Sequence, residues 1–101
     1  MKHAGPQTLA SLAPLLGRLR ATRALIERRP GVFYRGSRAY LHFHDDPTGI
    51  FADVKLDLVT FARLRVTTAA ERASFVARVV RSLGTHRQHH DGRAKPGRGA
   101  R

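Results

Sequence analysis

The chain has 101 residues, of which 42% are hydrophobic, and it carries no cysteine and a formal net charge of +12. This length predicts a single domain, and the lack of cysteine excludes disulfides, thiolate metal sites and cysteine nucleophiles. So strong a positive charge favours polyanionic partners, with nucleic acid as the leading candidate. The charge is concentrated at the two ends: residues 1–29 carry +5, residues 30–83 carry +3 and residues 84–101 carry +4.

The first periodic segment has apolar residues at helical spacing. They recur at steps of three and four: Leu12, Leu15, Leu16, Leu19, Leu25 and Ile26. This spacing predicts one amphipathic helix that begins between Thr8 and Pro14 and ends before Pro30, because a proline disfavours helical geometry in the residue before it. Residues 1–7 have no apolar pattern and are expected to form a loose start.

Between residues 31 and 67 the apolar period changes to two, which predicts four strands. The predicted strands are Val32–Arg35, Arg38–His44, Ile50–Leu56 and Phe61–Val66. Gly36-Ser37 suits a two-residue hairpin turn because glycine accepts positive φ. Asp46-Pro47-Thr48-Gly49 is the strongest turn signal in the chain, since proline sets φ at the second position. Consecutive strands joined by such short turns form an antiparallel meander.

The last predicted element is a helix that begins at a capping box formed by Thr68 and Glu71 and ends at Gly84. Beyond it, residues 85–101 contain no large apolar side chain and are expected to be disordered. The predicted fold class is therefore α+β, with residues 1–84 as one two-layer domain. In this domain both helices cover one face of a four-stranded antiparallel meander, and a basic tail follows.

The second turn decides which side chains face each other across its hairpin. If Asp46–Gly49 forms the loop, Asp45 pairs with Ile50 and one face of the hairpin is entirely apolar. A loop longer by one residue would put the carboxylate of Asp53 on the core side. The four-residue loop is therefore predicted, and it places His42 opposite Asp53 on the outer face.

The outer face of the predicted sheet is a mixed patch of aromatic, histidine and charged side chains. We predict that these residues form a binding surface: Tyr40, His42, His44, Phe51, Asp53, Lys55, Arg63 and Arg65. The fourth strand brings either Arg65 or Thr67 beside Asp53, depending on a register that the sequence leaves open. No catalytic residue is assigned, because an open sheet face offers no cavity that excludes water.

Several uses of this patch stay open. Aromatic rings can stack nucleobases while basic groups hold phosphates, which is typical of proteins that bind single strands. The same face could instead pack against a second copy of the chain, or hold a small ligand or a metal. An enzyme that uses His42 and Asp53 ranks third. No cofactor and no metal site are assigned, since two histidines two residues apart do not define a ligand set.

The predicted tail supplies five further cations that would contact phosphates without sequence specificity: Arg87, Arg93, Lys95, Arg98 and Arg101. Its histidines could bind a metal weakly, but a solvated basic tail is the favoured interpretation. No stretch approaches the roughly 20 apolar residues of a membrane span. The sequence therefore favours a cytoplasmic location without a membrane span.

The stretch around the second turn resembles small uncharacterised proteins of high-GC bacteria that carry a similar His-rich turn pattern. The residues that carry this resemblance are Leu41, His42, Phe43, His44, Asp45, Asp46, Pro47, Gly49, Phe51, Ala52 and Asp53. The resemblance covers roughly residues 30–83 and implies no known activity. We therefore interpret the chain as a non-enzymatic binding module for nucleic acid or another polyanion. The alternative is a homodimeric domain that uses its sheet face for dimerisation, a small ligand or a metal.

Overall fold

The computed structural model describes the backbone of residues 2–91 and the side chains of residues 2–84. Within these residues the chain forms six strands and three helices. In chain order they are β1 (Lys2–His3), α1 (Pro6–Ser11), α2 (Ala13–Arg20), β2 (Ile26–Arg29), β3 (Val32–Arg35), β4 (Arg38–Asp46), β5 (Gly49–Val54), β6 (Ala62–Arg65) and α3 (Ala69–Asp91). The predicted α+β class is confirmed, but the sheet has more strands than the four predicted.

The sheet is an antiparallel meander with the strand order β2-β3-β4-β5-β6. β1 pairs with the same edge of β4 as β3 does, but with the residues of β4 that follow those paired with β3. His3 therefore pairs with His44, while Val32 at the start of β3 pairs with His42. The first residues of the chain thus extend the sheet at one end of β4.

The prediction of one long N-terminal helix is wrong. Its leucines lie in α1 and α2, and Ile26–Arg29 forms β2 instead of a last helical turn. The Pro30-Gly31 turn, with Gly31 at a φ of 76°, folds β2 back onto β3. Leu25 is buried and Ile26 is exposed. Pro30 therefore does not end a helix. It belongs to a hairpin turn that gives β2 its backbone partners on β3.

The prediction of a loose start over residues 1–7 is wrong for the described residues. The carboxylate of Asp45 accepts hydrogen bonds from the Thr8 hydroxyl at 2.6 Å and from the Gly5 amide at 3.4 Å. The Ala4 amide donates to the carbonyl of Phe43 at 3.1 Å. These contacts hold the first residues against β4, and none of them follows from a local apolar pattern.

One apolar core lies between the helices and the inner face of the sheet. Its residues are Leu12, Leu15, Leu16, Leu19, Leu25, Phe33, Tyr40, Leu41, Phe43, Ala52, Val54, Val66, Phe75, Val76, Val79 and Leu83. Phe43 of β4 and Phe75 of α3 meet edge to face, with ring centroids 6.3 Å apart. Since α2 and α3 also contact each other, the two helices form one layer over this face.

The register of β4 against β5 is the predicted one. Asp45 pairs with Ile50, and His42 pairs with Asp53. The turn is closed by Asp46, whose carboxylate accepts a hydrogen bond from the Thr48 amide at 3.1 Å. This register keeps one face of the hairpin apolar, and a shift by one residue would bury charged side chains instead.

The alternation of side chains predicts that Tyr40 lies on the outer face. This prediction is wrong, because Tyr40 is 1% exposed and lies within the core. β3 pairs Phe33 with Leu41 and Tyr34 with Ala39, so β4 contains one extra residue at this point. Such a bulge breaks the strict alternation of side chains. Tyr40 and Leu41 consequently both face the core, where the Tyr40 hydroxyl donates to the Ser82 hydroxyl at 3.4 Å.

α3 begins at the predicted capping box but does not end where predicted. The Thr68 amide donates to the Glu71 carboxylate at 2.9 Å, and the Glu71 amide donates to the Thr68 hydroxyl at 3.1 Å. The helix continues through Gly84 to Asp91, since a glycine within a helix costs only about 1 kcal/mol relative to alanine. The predicted end at Gly84 is therefore wrong, and residues 92–101 of the predicted tail lie outside the described residues.

Candidate metal centre

Three histidines meet on the outer face of the sheet. His42 and His44 are two residues apart on β4 and therefore point to the same face, and His3 on β1 pairs with His44. The ring centroids are 4.7 Å apart for His42 and His44, 4.9 Å for His3 and His44, and 5.7 Å for His3 and His42. One potential ligand nitrogen from each ring lies within 4.8 Å of the other two. We call this group the histidine triad.

The spacing of the triad is close to that of a metal site but wider. Zinc binds imidazole nitrogens at about 2.0–2.1 Å, so two such ligands in a tetrahedral site are about 3.4 Å apart. Ligand nitrogens separated by up to 4.8 Å must therefore approach each other by as much as about 1.4 Å. His3 is exposed and can make this movement, whereas His42 and His44 are half-buried on a central strand.

Two ring nitrogens of the triad lack hydrogen-bond partners. Nδ1 of His42 and Nε2 of His44 are shielded from solvent and have no hydrogen-bond partner among the described residues. Buried polar atoms in proteins almost always have a partner, and an atom without any polar contact, such as Nδ1 of His42, costs about 1–3 kcal/mol. Burial, followed by the neighbouring charge of His44, lowers the pKa of His42. The lower pKa favours the neutral imidazole, which is the form that binds metals.

A carboxylate stands behind the triad. Oδ2 of Asp53 lies 2.9 Å from Nε2 of His44, which is an ion-pair distance, although the direction does not satisfy a hydrogen bond. The Asp53 side chain is only 12% exposed. A carboxylate in contact with a ligating histidine orients the ring and raises its basicity. If this contact persists with a metal bound, His44 must bind that metal through Nδ1.

Asp53 is itself held by Arg63. The guanidinium donates from Nε at 2.8 Å and from Nη2 at 2.9 Å, one bond to each carboxylate oxygen. These hydrogen bonds lower the pKa of Asp53, which keeps it a carboxylate. The pairing of β5 with β6 sets Asp53 opposite Arg63, so both predicted neighbours, Arg65 and Thr67, are wrong. Leu58, in the connection between these strands, has a φ of 65°.

The remaining predicted patch residues are engaged with other parts of the protein. Nζ of Lys55 lies 4.8 Å from the centroid of the Phe61 ring, which in turn meets the His42 ring edge to face at 5.1 Å. Arg65 donates from Nη1 to both oxygens of Glu71, at 3.0 and 2.9 Å. The cations of this face are thus paired or stacked within the protein, and phosphate contact by them stays a prediction.

Phe51 and Tyr40 are the two aromatic residues of the predicted binding surface. Phe51 is half-buried between His44 and Arg65 on the neighbouring strands, and Tyr40 lies in the core. Base stacking needs exposed ring faces. Tyr40 is therefore not available for stacking, and nucleobase binding by the rest of this face stays a prediction.

His3 is the member of the site that sequence reasoning missed. A signal for it existed, because the predicted second strand is longer than the first and leaves its far end, at His44, without a partner on that edge. An unpaired strand edge attracts another backbone segment. Which segment would pair there, however, depends on the tertiary path of the chain and not on a motif.

The predicted tail residues lie beyond the described side chains. This applies to its cations, Arg87, Arg93, Lys95, Arg98 and Arg101, and to its histidines. The backbone at residue 87 belongs to α3. Phosphate contact by these residues stays a prediction.

No family model matches this chain, and no curated protein or solved structure is significantly similar to it. The resemblance of residues 30–83 to small bacterial proteins therefore stays a prediction. Among the helices of the described residues, none is long and apolar enough to cross a bilayer. A cytoplasmic location also stays a prediction, and function must be argued from the chemistry of the site.

Proposed function

We propose that this protein is a non-enzymatic binding module that holds a divalent transition metal ion through His3, His42 and His44. The observation that carries the proposal is the approach of three candidate ligand nitrogens to within 4.8 Å of one another. Imidazole suits zinc, nickel, copper and iron, whereas calcium and magnesium require oxygen ligands. Zinc is the leading candidate, because three histidines form a common zinc ligand set.

The charges around the site indicate that the metal ion is selected by its preference for imidazole ligands and not by local negative charge. Arg63 neutralises Asp53, and the chain as a whole carries +12. A dication therefore gains little from the field around it, and its affinity must come from imidazole lone pairs. We expect zinc or nickel to bind and calcium and magnesium to be excluded.

The proposal is binding and not catalysis. Three histidines leave a fourth position for water on a tetrahedral zinc ion, as in catalytic zinc sites. A hydrolytic site also needs a positioned general base. Among the described residues, Asp53 is the carboxylate in contact with the triad, and Arg63 occupies both of its oxygens.

A competition titration against a chromophoric zinc chelator tests the proposal on the full chain without an affinity tag. We expect one zinc ion per chain, and we expect His3→Ala to weaken binding strongly while leaving the core intact. The matched control is the triple variant H86A/H89A/H90A, which removes the same kind of side chain outside the triad. Loss of zinc in the control together with full binding by His3→Ala would overturn the proposal.

A second candidate function, binding of a polyanion, is supported by the arginines of the helical layer. Arg18 on α2 and Arg78 and Arg81 on α3 are exposed and form no ion pair with a described carboxylate. Affinity for a generic single-stranded oligonucleotide should fall steeply with salt, and R78Q/R81Q should reduce that slope. Binding that does not change with salt contradicts this candidate.

A homodimer through the sheet face also stays a prediction. Phe61 is an exposed aromatic residue on this face, in contact with the histidine triad. Packing of two such faces would cover the triad in both copies. Sedimentation equilibrium with and without zinc distinguishes a monomer from a dimer, and a monomer under both conditions excludes this arrangement.

A further inference from the structure

A cavity lies beside the β3–β4 hairpin turn, at the end of β4 that is opposite to the histidine triad. Its volume is about 220 Å³. The lining residues are Arg35, Arg38, Ala39, Tyr40, Lys55 and Leu58. Three of these six side chains are cations and none is a carboxylate. The cavity is therefore a concentrated positive region, separate from the histidine triad.

Backbone geometry forces these cations together. Arg35 and Arg38 pair directly across the hairpin, whose turn uses Gly36 at a φ of 64°. Lys55 is held beside Tyr40 by a 2.9 Å hydrogen bond from its amide to the Tyr40 carbonyl. Like charges directly opposite each other on neighbouring strands repel. An anion between them would convert this repulsion into attraction.

None of the three cations of this cavity forms an ion pair with a carboxylate among the described residues. Nζ of Lys55 instead lies over the Phe61 ring. Nε of Arg35 is shielded from solvent and has no hydrogen-bond partner there. A guanidinium presents its donors in a planar fork that matches two oxygens of a phosphate or carboxylate. The cavity thus contains donors without acceptors.

The far wall of the cavity is a rigid loop in a strained conformation. Leu58 has a φ of 65°, and its amide donates to the Lys55 carbonyl at 2.8 Å. The carboxylate of Asp57 accepts the amides of Val59 and Thr60, each at 2.8 Å. Non-glycine residues in this region of φ are enriched at ligand sites. These hydrogen bonds hold the wall of the cavity in place.

We infer that this cavity binds a phosphate-type oxyanion through Arg35 and Arg38, with Lys55 as a further cation in its lining. Its volume lies below the roughly 300 Å³ at which pockets for drug-sized ligands begin, so it suits a single phosphate group. The rest of a larger phosphate-bearing ligand would lie outside, over the hairpin. This site does not depend on the proposed metal, since the triad lies at the other end of β4.

Backbone amide NMR during titration with inorganic phosphate at constant ionic strength tests the inference. We expect saturable shifts in residues 35–39 and 55–58. Arg38→Gln should weaken binding at least tenfold, and Arg38 is exposed, so its replacement leaves the core intact. The matched control Arg23→Gln removes an equal charge from an exposed arginine between α2 and β2 and should leave phosphate affinity unchanged.

Two further titrations identify the source of the phosphate group. A nucleoside monophosphate represents a small ligand, and a short phosphodiester oligonucleotide represents nucleic acid. Saturable shifts of the same amides by any of these probes, lost in Arg38→Gln and kept in Arg23→Gln, support the site. Absence of saturable shifts with every probe, or equal weakening by both substitutions, would overturn it.

Discussion

The two faces of β4 differ in how completely their chemical groups are satisfied. Leu41 and Phe43 on the inner face are buried in the apolar core. His42 and His44 on the outer face are half-buried, and each has a ring nitrogen without a hydrogen bond among the described residues. Burial of the inner face stabilises the fold, whereas the ring nitrogens without hydrogen bonds on the outer face destabilise it. A face that keeps unsatisfied donors and acceptors is where a ligand is to be expected.

The largest expected effect comes from the inner face. Phe43→Ala removes a buried ring that packs against Phe75, so the free energy of unfolding should fall by about 3–5 kcal/mol. Urea denaturation measures this change. Val59→Ala is the control, because Val59 is 73% exposed and its loss should alter stability by less than about 0.5 kcal/mol. Equal effects of the two substitutions would contradict the assignment of the inner face.

Asp53→Asn tests the outer face, where stability and ligand affinity should fall together. The substitution breaks the pair with Arg63 and the contact with His44. Because Arg63 is 51% exposed, we expect a loss of about 1–2 kcal/mol, less than for a fully buried pair. Zinc affinity should fall by about 10- to 100-fold.

The control for this substitution is Glu27→Gln, which breaks the ion pair with the exposed Arg20. It should cost at most about 1 kcal/mol and leave zinc affinity unchanged. If Glu27→Gln lowers zinc affinity as much as Asp53→Asn, the carboxylate behind the triad has no specific role.

His42→Leu should separate stability from ligand binding. It replaces a ring whose Nδ1 has no hydrogen-bond partner by an apolar side chain, so stability without metal should not fall and could rise by about 1 kcal/mol. Zinc binding should be lost. Thermal denaturation in the presence of a chelator measures the first effect, and the chelator competition measures the second. A clear loss of stability without metal would mean that His42 supports the fold.

The smallest expected effect lies at the start of α3 and appears only in acid. The amide of Thr68 and the guanidinium of Arg65 lower the pKa of Glu71 from 4.5 to about 2. Because the folded pKa is depressed, the carboxylate contributes stability that is full above pH 4.5 and is lost as the pH falls from 4.5 towards 2. Urea denaturation of wild type and Glu71→Gln at pH 6 and pH 3 should give a smaller difference at pH 3. An equal difference at both values would contradict the capping role.

Features that depend on neighbouring residues were predictable. The Asp46–Gly49 turn and the apolar match across it determine the register that sets His42 opposite Asp53. The capping box of α3 also follows from two residues three positions apart. In both cases one local arrangement satisfies the backbone and keeps charges out of the core.

Features that depend on distant contacts were not predictable. Tyr40 follows the period of His42 and His44, but a bulge turns it inward, where Ser82 of α3 offers a hydroxyl partner. His3 joins the site because β1 occupies an edge of β4 that β3 leaves unpaired. The alternation of side chains along β4 therefore predicts that His42 and His44 share a face, but it does not predict that His3 joins them.

The most direct test of the metal site is a two-dimensional NMR spectrum of the histidine rings during zinc titration of the full chain. We expect the signals of His3, His42 and His44 to shift together and to saturate at one equivalent of zinc. The rings of His86, His89 and His90 should stay unchanged up to that point. Shifts of the tail histidines at the first equivalent, with the triad unaffected, would contradict the account.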